Sequence, residues 1–150
     1  SNQAHWNWAT EPNPREKASF LKENIHPIQE SGQLQFLQQQ STAQIGFEVL
    51  FMDGHTEKQM LPKLNYQGKT LVFMADLLPT IGHIPLPYVM GYDTRPLLTI
   101  KEKADFLNLA ADENYYLFLE HDAHHEICTL KRTEKGVRLN TTHKFSELFS

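Results

Sequence analysis

Three apolar stretches of this chain each break on a side chain that can bind a metal. Ile45–Met52 leads into Asp53-Gly54-His55-Thr56, Thr70–Ala75 into Asp76, and Tyr115–Glu120 into His121-Asp122. Apolar, β-favouring runs of this length predict strands, and a nearly continuous run predicts a strand buried on both faces. Each donor then stands just past the C-terminal end of a strand, where sites on layered α/β folds gather. Imidazole and carboxylate together suit zinc, manganese or iron rather than calcium.

Each of these residues also has a plainer reading. His55 reads equally as a turn histidine and Asp76 as a helix N-cap, and His121 competes with His124 and His125. His83 and Tyr88 lie in a Pro-, Gly- and Tyr-rich stretch, Pro79–Pro96. Long loops of this kind often carry function, which makes both residues candidates for binding substrate. Against that, His83 could simply bond a loop carbonyl, and Tyr88 and Tyr92 could simply pack. Asp53 and Asp122 could orient a neighbouring histidine by accepting its second N–H. Asp93 and Arg95 read as an ion pair that fixes the loop. Cys128 reads as a small buried hydrophobe.

The elements that must position these residues follow from period and punctuation. Asn13-Pro14-Arg15-Glu16 predicts a helix start, with Ala18, Leu21 and Ile25 on one face and Pro27 ending or kinking it. Leu34, Phe36 and the glutamine run predict a short strand and turn. Met60–Tyr66 alternates, and Pro62 within it suggests an edge or a bulge. Gln67-Gly68 and Lys135-Gly136 predict hairpins, the second joining Ile127–Arg132 to Val137–Asn140. Thr99-Ile100-Lys101-Glu102 reads as a capping box that opens a helix, with Ile100, Ala104, Leu107 and Ala111 as its apolar stripe and Asn114 at its close. Phe145–Phe149 predicts a short terminal helix. The result is a mixed sheet covered by helices on one face, with nothing in the chain to cover the other.

Bulk properties remove some functions. The chain has 150 residues, 40% hydrophobic and 21% charged, enough for one packed domain. Its net charge of −4, with no basic run, argues against nucleic acid or an anionic membrane surface as partner. No apolar stretch is long enough to span a bilayer. A single cysteine excludes an intrachain disulfide and is compatible with the reducing cytoplasm.

Taken in order, the segments resemble a known family. Asp53-Gly54-His55-Thr56, a hairpin, then Leu71-Val72-Phe73-Met74-Ala75-Asp76, and finally Leu117-Phe118-Leu119-Glu120-His121-Asp122 are similar to the C-terminal half of the metallo-β-lactamase fold. The stretch from Leu77-Leu78-Pro79-Thr80 through Pro85-Leu86-Pro87 to Tyr92-Asp93 resembles the branch that holds lactonases and organophosphate hydrolases. The resemblance implies an α/β (α+β) fold, half of a four-layer αββα sandwich. It implies two divalent metals, zinc first, with manganese or iron as alternatives. His55 would sit on one metal and His121 on the other, with Asp76 bridging and catalytic. A metal-bound hydroxide would attack the ester, lactone or phosphoester bond of a small-molecule substrate. The family's other ligands come from an earlier His-x-His-x-Asp-His motif, which this chain lacks. The expectation is therefore an inactive fragment of a longer hydrolase, with its metals incompletely held or absent. Two rivals stand beside it. One is a non-catalytic binding or assembly module that forms a homodimer through its bare sheet face. The other is a single-metal site built on His121, His124 and His125.

Overall fold

The computed structural model describes residues 1–38 and 46–149. Among them, six strands form one sheet whose spatial order follows the chain: β1 (Glu48–Met52), β2 (Gln59–Tyr66), β3 (Lys69–Phe73), β4 (Tyr116–Phe118), β5 (Ile127–Thr133) and β6 (Gly136–His143). Neighbours are antiparallel except β3 and β4, which run parallel. A parallel pair needs a long crossover, and here it contains α3 (Pro96–Asp112). Three further helices are α1 (Gln3–Thr10), α2 (Lys22–Glu30) and α4 (Phe145–Leu148), and Ile81–His83 makes one 3-10 turn.

Both expected hairpins form, the second turning one residue earlier than expected, on Glu134 and Lys135, with Gly136 opening β6. Gln67 and Gly68 both have positive φ, 49° and 74°, the type I′ geometry that matches strand twist. Pro62 sits in β2 between two partner strands, not on an edge. It faces Val49 of β1, while pairing with β3 begins one residue later at Lys63. The missing N–H therefore falls where β3 has no rung to offer.

Several expectations need correction. The opening stretch, for which no element was expected, is helical: α1 is capped by Asn2, whose side chain accepts from the His5 N–H at 2.8 Å. The helix expected from Asn13 is instead a run of turns. Asn13 Oδ1 does accept from Arg15 N and Glu16 N, as a cap would, but Glu16 turns inward and helix resumes only at Lys22. Pro27 lies inside α2, which stops at Glu30 with Ser31 N donating to Pro27 O. Leu34 and Phe36 form no strand; Ile45 and the end of the glutamine run, Gln39 and Gln40, lie outside the described residues. Finally, α3 begins at Pro96, which suits the first helical turn, so Thr99 is buried inside the helix and does not cap it. The buried stripe is Thr99, Lys103, Phe106, Leu107 and Ala110, one position away from the expected one.

That stripe packs on Leu61, Val72, Leu117, Cys128 and Leu130 of the sheet, with Met74, Leu77, Leu78 and Ile84 completing the core. Side chains alternate along a strand, so Phe73 and Phe118 point to the opposite face, where their rings stack with centroids 5.7 Å apart.

Candidate metal centre

The fold brings His55, Asp76 and His121 together. Asp76 lies between the two imidazoles: its Oδ2 is 3.4 Å from His55 Nε2 and its Oδ1 is 3.1 Å from His121 Nε2. Each histidine thus has its own carboxylate oxygen. Asp76 reaches this position because β3 ends abruptly. Met74 N still bonds Phe118 O of β4, but Ala75 takes φ +43°, a left-handed conformation that costs an L-residue about 1–2 kcal/mol. Strain of that kind persists only where the surroundings impose it.

The turn bearing His55 is fixed by the start of α3. Glu102 accepts from Asp53 N at 2.8 Å and from Gly54 N at 2.9 Å. Arg95 N donates to Gly54 O, and Thr94 N to His55 O. The approach is so close that a Cβ on Gly54 would fall on the Thr99 backbone nitrogen and hydroxyl. Because the collision is with backbone, Gly54→Ala is expected to cost about 2–3 kcal/mol of stability. Urea unfolding of the variant beside the wild type measures this, and an unchanged midpoint would show that α3 can shift away.

Two buried carboxylates, Asp93 and Glu16, to which the sequence reading assigned other roles, shape the site. Asp93 Oδ1 lies 2.8 Å from His55 Nδ1, and its side chain is only 1% exposed. The carboxylate accepts, so Nδ1 carries the proton and the Nε2 lone pair is left toward Asp76. The expected Asp93–Arg95 pair does not form; Arg95 binds Glu57 Oε2 at 2.6 Å instead. Burial disfavours the His55 imidazolium. The Asp93 hydrogen bond and the charges of Asp76, Asp93 and Glu16 outweigh that, so His55 titrates above its ordinary value. Glu16, also buried, accepts from Trp8 Nε1, Asn13 Nδ2 and Thr56 Oγ1, each at 2.6 Å. It ties the N-terminal segment to the residue after His55.

Asp122 organises the other side. Its Oδ1 accepts from His124 N, His125 N and His125 Nδ1, and its Oδ2 from Ile81 N. It therefore orients the His121 turn and the 3-10 turn, not a ligand imidazole. Burial would raise the Asp122 carboxyl, but these donors outweigh it and hold it at about 2. A depressed carboxyl stabilises the fold above its unfolded value near 3.8 and loses that contribution as pH falls through about 2. Asp122→Asn is expected to cost about 1–3 kcal/mol at neutral pH, with the difference from wild type shrinking between those two values. Acid-series unfolding curves measure it; a pH-independent difference would deny the charge any part.

A cavity of about 590 Å³ opens beside His55 and Asp76, with Arg15, Phe20, Gln59 and Tyr92 in its wall. Gln59 Nε2 faces Asp76 Oδ2 at 3.4 Å. His83 and Tyr88 are not in that wall. His83 Nδ1 bonds Thr80 Oγ1 at 2.9 Å, and the Tyr88 side chain projects into solvent, 61% exposed.

The donors fit a metal in kind and spacing. Two donors each about 2.1 Å from one tetrahedral ion stand roughly 3.4 Å apart, close to both Asp76–histidine separations. They fall short in number. Each Asp76–histidine pair offers one imidazole and one carboxylate oxygen, and among the described residues no group of three or more His, Cys, Asp or Glu is placed to hold a metal.

No protein-family model matches the sequence, and no curated protein matches it. Solved structures do share its fold. A probable metal-dependent hydrolase from Staphylococcus aureus aligns with a TM-score of 0.76 at 22% identity, over 91% of this chain and 48% of that one. The hydrolase AbOPH of the β-lactamase superfamily aligns with a TM-score of 0.77 at 17% identity, over 95% and 54%. AidC, a dizinc quorum-quenching lactonase captured with the product N-hexanoyl-L-homoserine, aligns with a TM-score of 0.70 at 18% identity, over 96% and 54%. This chain therefore spans about half the length of the structures it matches. Its mixed α+β architecture is a partial metallo-β-lactamase fold, that of the β-lactamase-superfamily hydrolases.

Proposed function

We propose that this chain is the C-terminal half of a dinuclear metal-dependent hydrolase acting on an ester, lactone or phosphoester bond of a small molecule. The observation that carries the reading is the Asp76 carboxylate, shared oxygen by oxygen between His55 and His121. The dizinc centre of a protein with this fold makes zinc the first choice of metal. When bound, a metal pair lowers the pKa of water and polarises the scissile carbonyl or phosphoryl oxygen.

The chain's own residues do the rest. Asp93 holds His55 in the tautomer that presents Nε2. Asp76 would hold one cation on each oxygen, and its negative charge would offset their mutual repulsion. Arg15 and Phe20 give the cavity one cationic and one apolar wall, suited to a substrate with a polar head and a carbon body. Because this chain would offer each ion only two donors, the remaining ligands would come from outside these residues.

Metal content by elemental analysis tests this, measured on this chain and on a longer protein that includes it. The expected result is almost no metal on the chain and about two ions on the longer protein. Stoichiometric metal on the chain alone would sink the half-site reading and turn attention to His124 and His125. A longer protein without metal would sink the hydrolase.

A further inference from the structure

The loop from His83 to Asp93 passes the site with only two backbone hydrogen bonds inside it, Tyr88 N to Pro85 O and Asp93 N to Met90 O, each at 3.1 Å. Pro85 and Pro87 lack N–H groups, so most of its carbonyls need donors from elsewhere. Two cations supply them. From below, Lys103 of α3, only 1% exposed, donates to His83 O at 2.9 Å, Tyr88 O at 2.5 Å and Pro85 O at 3.4 Å. An ammonium has three N–H groups, and here each meets a carbonyl of one loop. From outside, Arg15 Nη2 donates to Gly91 O at 2.6 Å and Asp93 O at 3.4 Å. The last residue held, Asp93, is the one that bonds His55.

We propose that Lys103 and Arg15 are positioning residues: together they fix the 83–93 loop by its carbonyls and so hold Asp93 against His55. A buried lysine is expensive to keep, because its charge is removed from water. Burial lowers Lys103 to about 8, and the charge of Asp93 only partly offsets this. An apolar residue would serve the core better, so the lysine's use lies in the loop. The loop is then a preformed wall of the site, not a lid. For its consequence in catalysis the inference rests on the metal-centre reading. The loop and the Asp93–His55 bond can be tested without metal.

The test is NMR of the histidine-labelled, zinc-free chain. In the wild type, the His55 Nδ1 proton should exchange slowly and mark the Nδ1–H tautomer. In Lys103→Met, amide signals of β1–β6 should persist while those of 84–92 shift or broaden. The His55 proton should exchange at least about tenfold faster, as expected for a weakened hydrogen bond to a charged group. Arg15→Met should act in the same direction, more weakly, and its exposed side chain puts the core at no risk. If Lys103→Met does not fold, Arg15→Met decides alone. A wild-type His55 signal in the folded variants overturns the proposal. A His55 signal that responds as described, in a protein whose longer form never takes up zinc, sinks the hydrolase and leaves the loop assignment standing.

Discussion

If the proposed metal centre is right, Asp93→Ala is expected to weaken zinc binding about 10–100-fold in a longer protein that includes this chain, while leaving the fold intact. Removal of a carboxylate that orients a metal-binding imidazole typically has that effect. The cause lies in His55. With Asp93 Oδ1 2.8 Å from Nδ1, the ring is fixed in both rotation and tautomer. Without it, nothing among the described contacts holds the proton on Nδ1, and Nε2 can take it up and face Asp76 as a donor. Asp93→Asn separates orientation from charge. Its amide oxygen can still accept from Nδ1, so a loss near the alanine value means that the charge matters, and a much smaller loss means that orientation does. Competition against a chromophoric chelator measures all three proteins. Equal affinity in wild type and Asp93→Ala would remove His55 from the metal.

Glu16→Ala should be among the most destabilising single changes in the chain. It strips the acceptor from Trp8 Nε1, Asn13 Nδ2 and Thr56 Oγ1 at once. Each orphaned buried donor costs about 1–3 kcal/mol, and Asn13 keeps partial access to water, so a total of about 4 kcal/mol is expected. Glu16→Gln keeps one acceptor oxygen but turns an NH₂ toward a donor, and should fall between. Urea unfolding gives the values. A loss under about 1 kcal/mol for Glu16→Ala would mean that the N-terminal segment contributes nothing to holding the His55 turn.

How much of this could be read from the sequence depended on the range of each interaction. His55, Asp76 and His121 were legible because each follows an apolar strand, and strand ends are local features. Their convergence was legible only through the order of the segments. The β2–β3 hairpin at Gln67-Gly68 was legible, and the β5–β6 hairpin to within one residue, because turn chemistry is local. Asp93 and Glu16 were not, because their partners lie far away along the chain: His55 is 38 residues from Asp93, and Thr56 is 40 from Glu16. Asp93 was paired with nearby Arg95, the natural choice when only neighbours can be seen. The helix expected from Asn13 failed for the same reason. Its cap was right, but the tertiary demand on Glu16 overrode local propensity. Lys103 had a signal that could have been used: at i+4 from Thr99 and i−4 from Leu107 it falls on an apolar face, where a lysine needs a reason.

The parallel joint between β3 and β4 has a kinetic consequence. β1–β2–β3 and β4–β5–β6 are each meanders of neighbours close in sequence, and such contacts form quickly. Joining them means closing the long crossover through α3, which pays loop-closure entropy before any contact repays it. His55 and Asp76 belong to the first meander and His121 follows the last strand of the joint. The centre therefore cannot exist in either folding unit alone. It appears only when the two have docked, so in a longer protein that supplies the missing ligands metal uptake would have to wait for this step, and any chain stalled short of it would be born without a site.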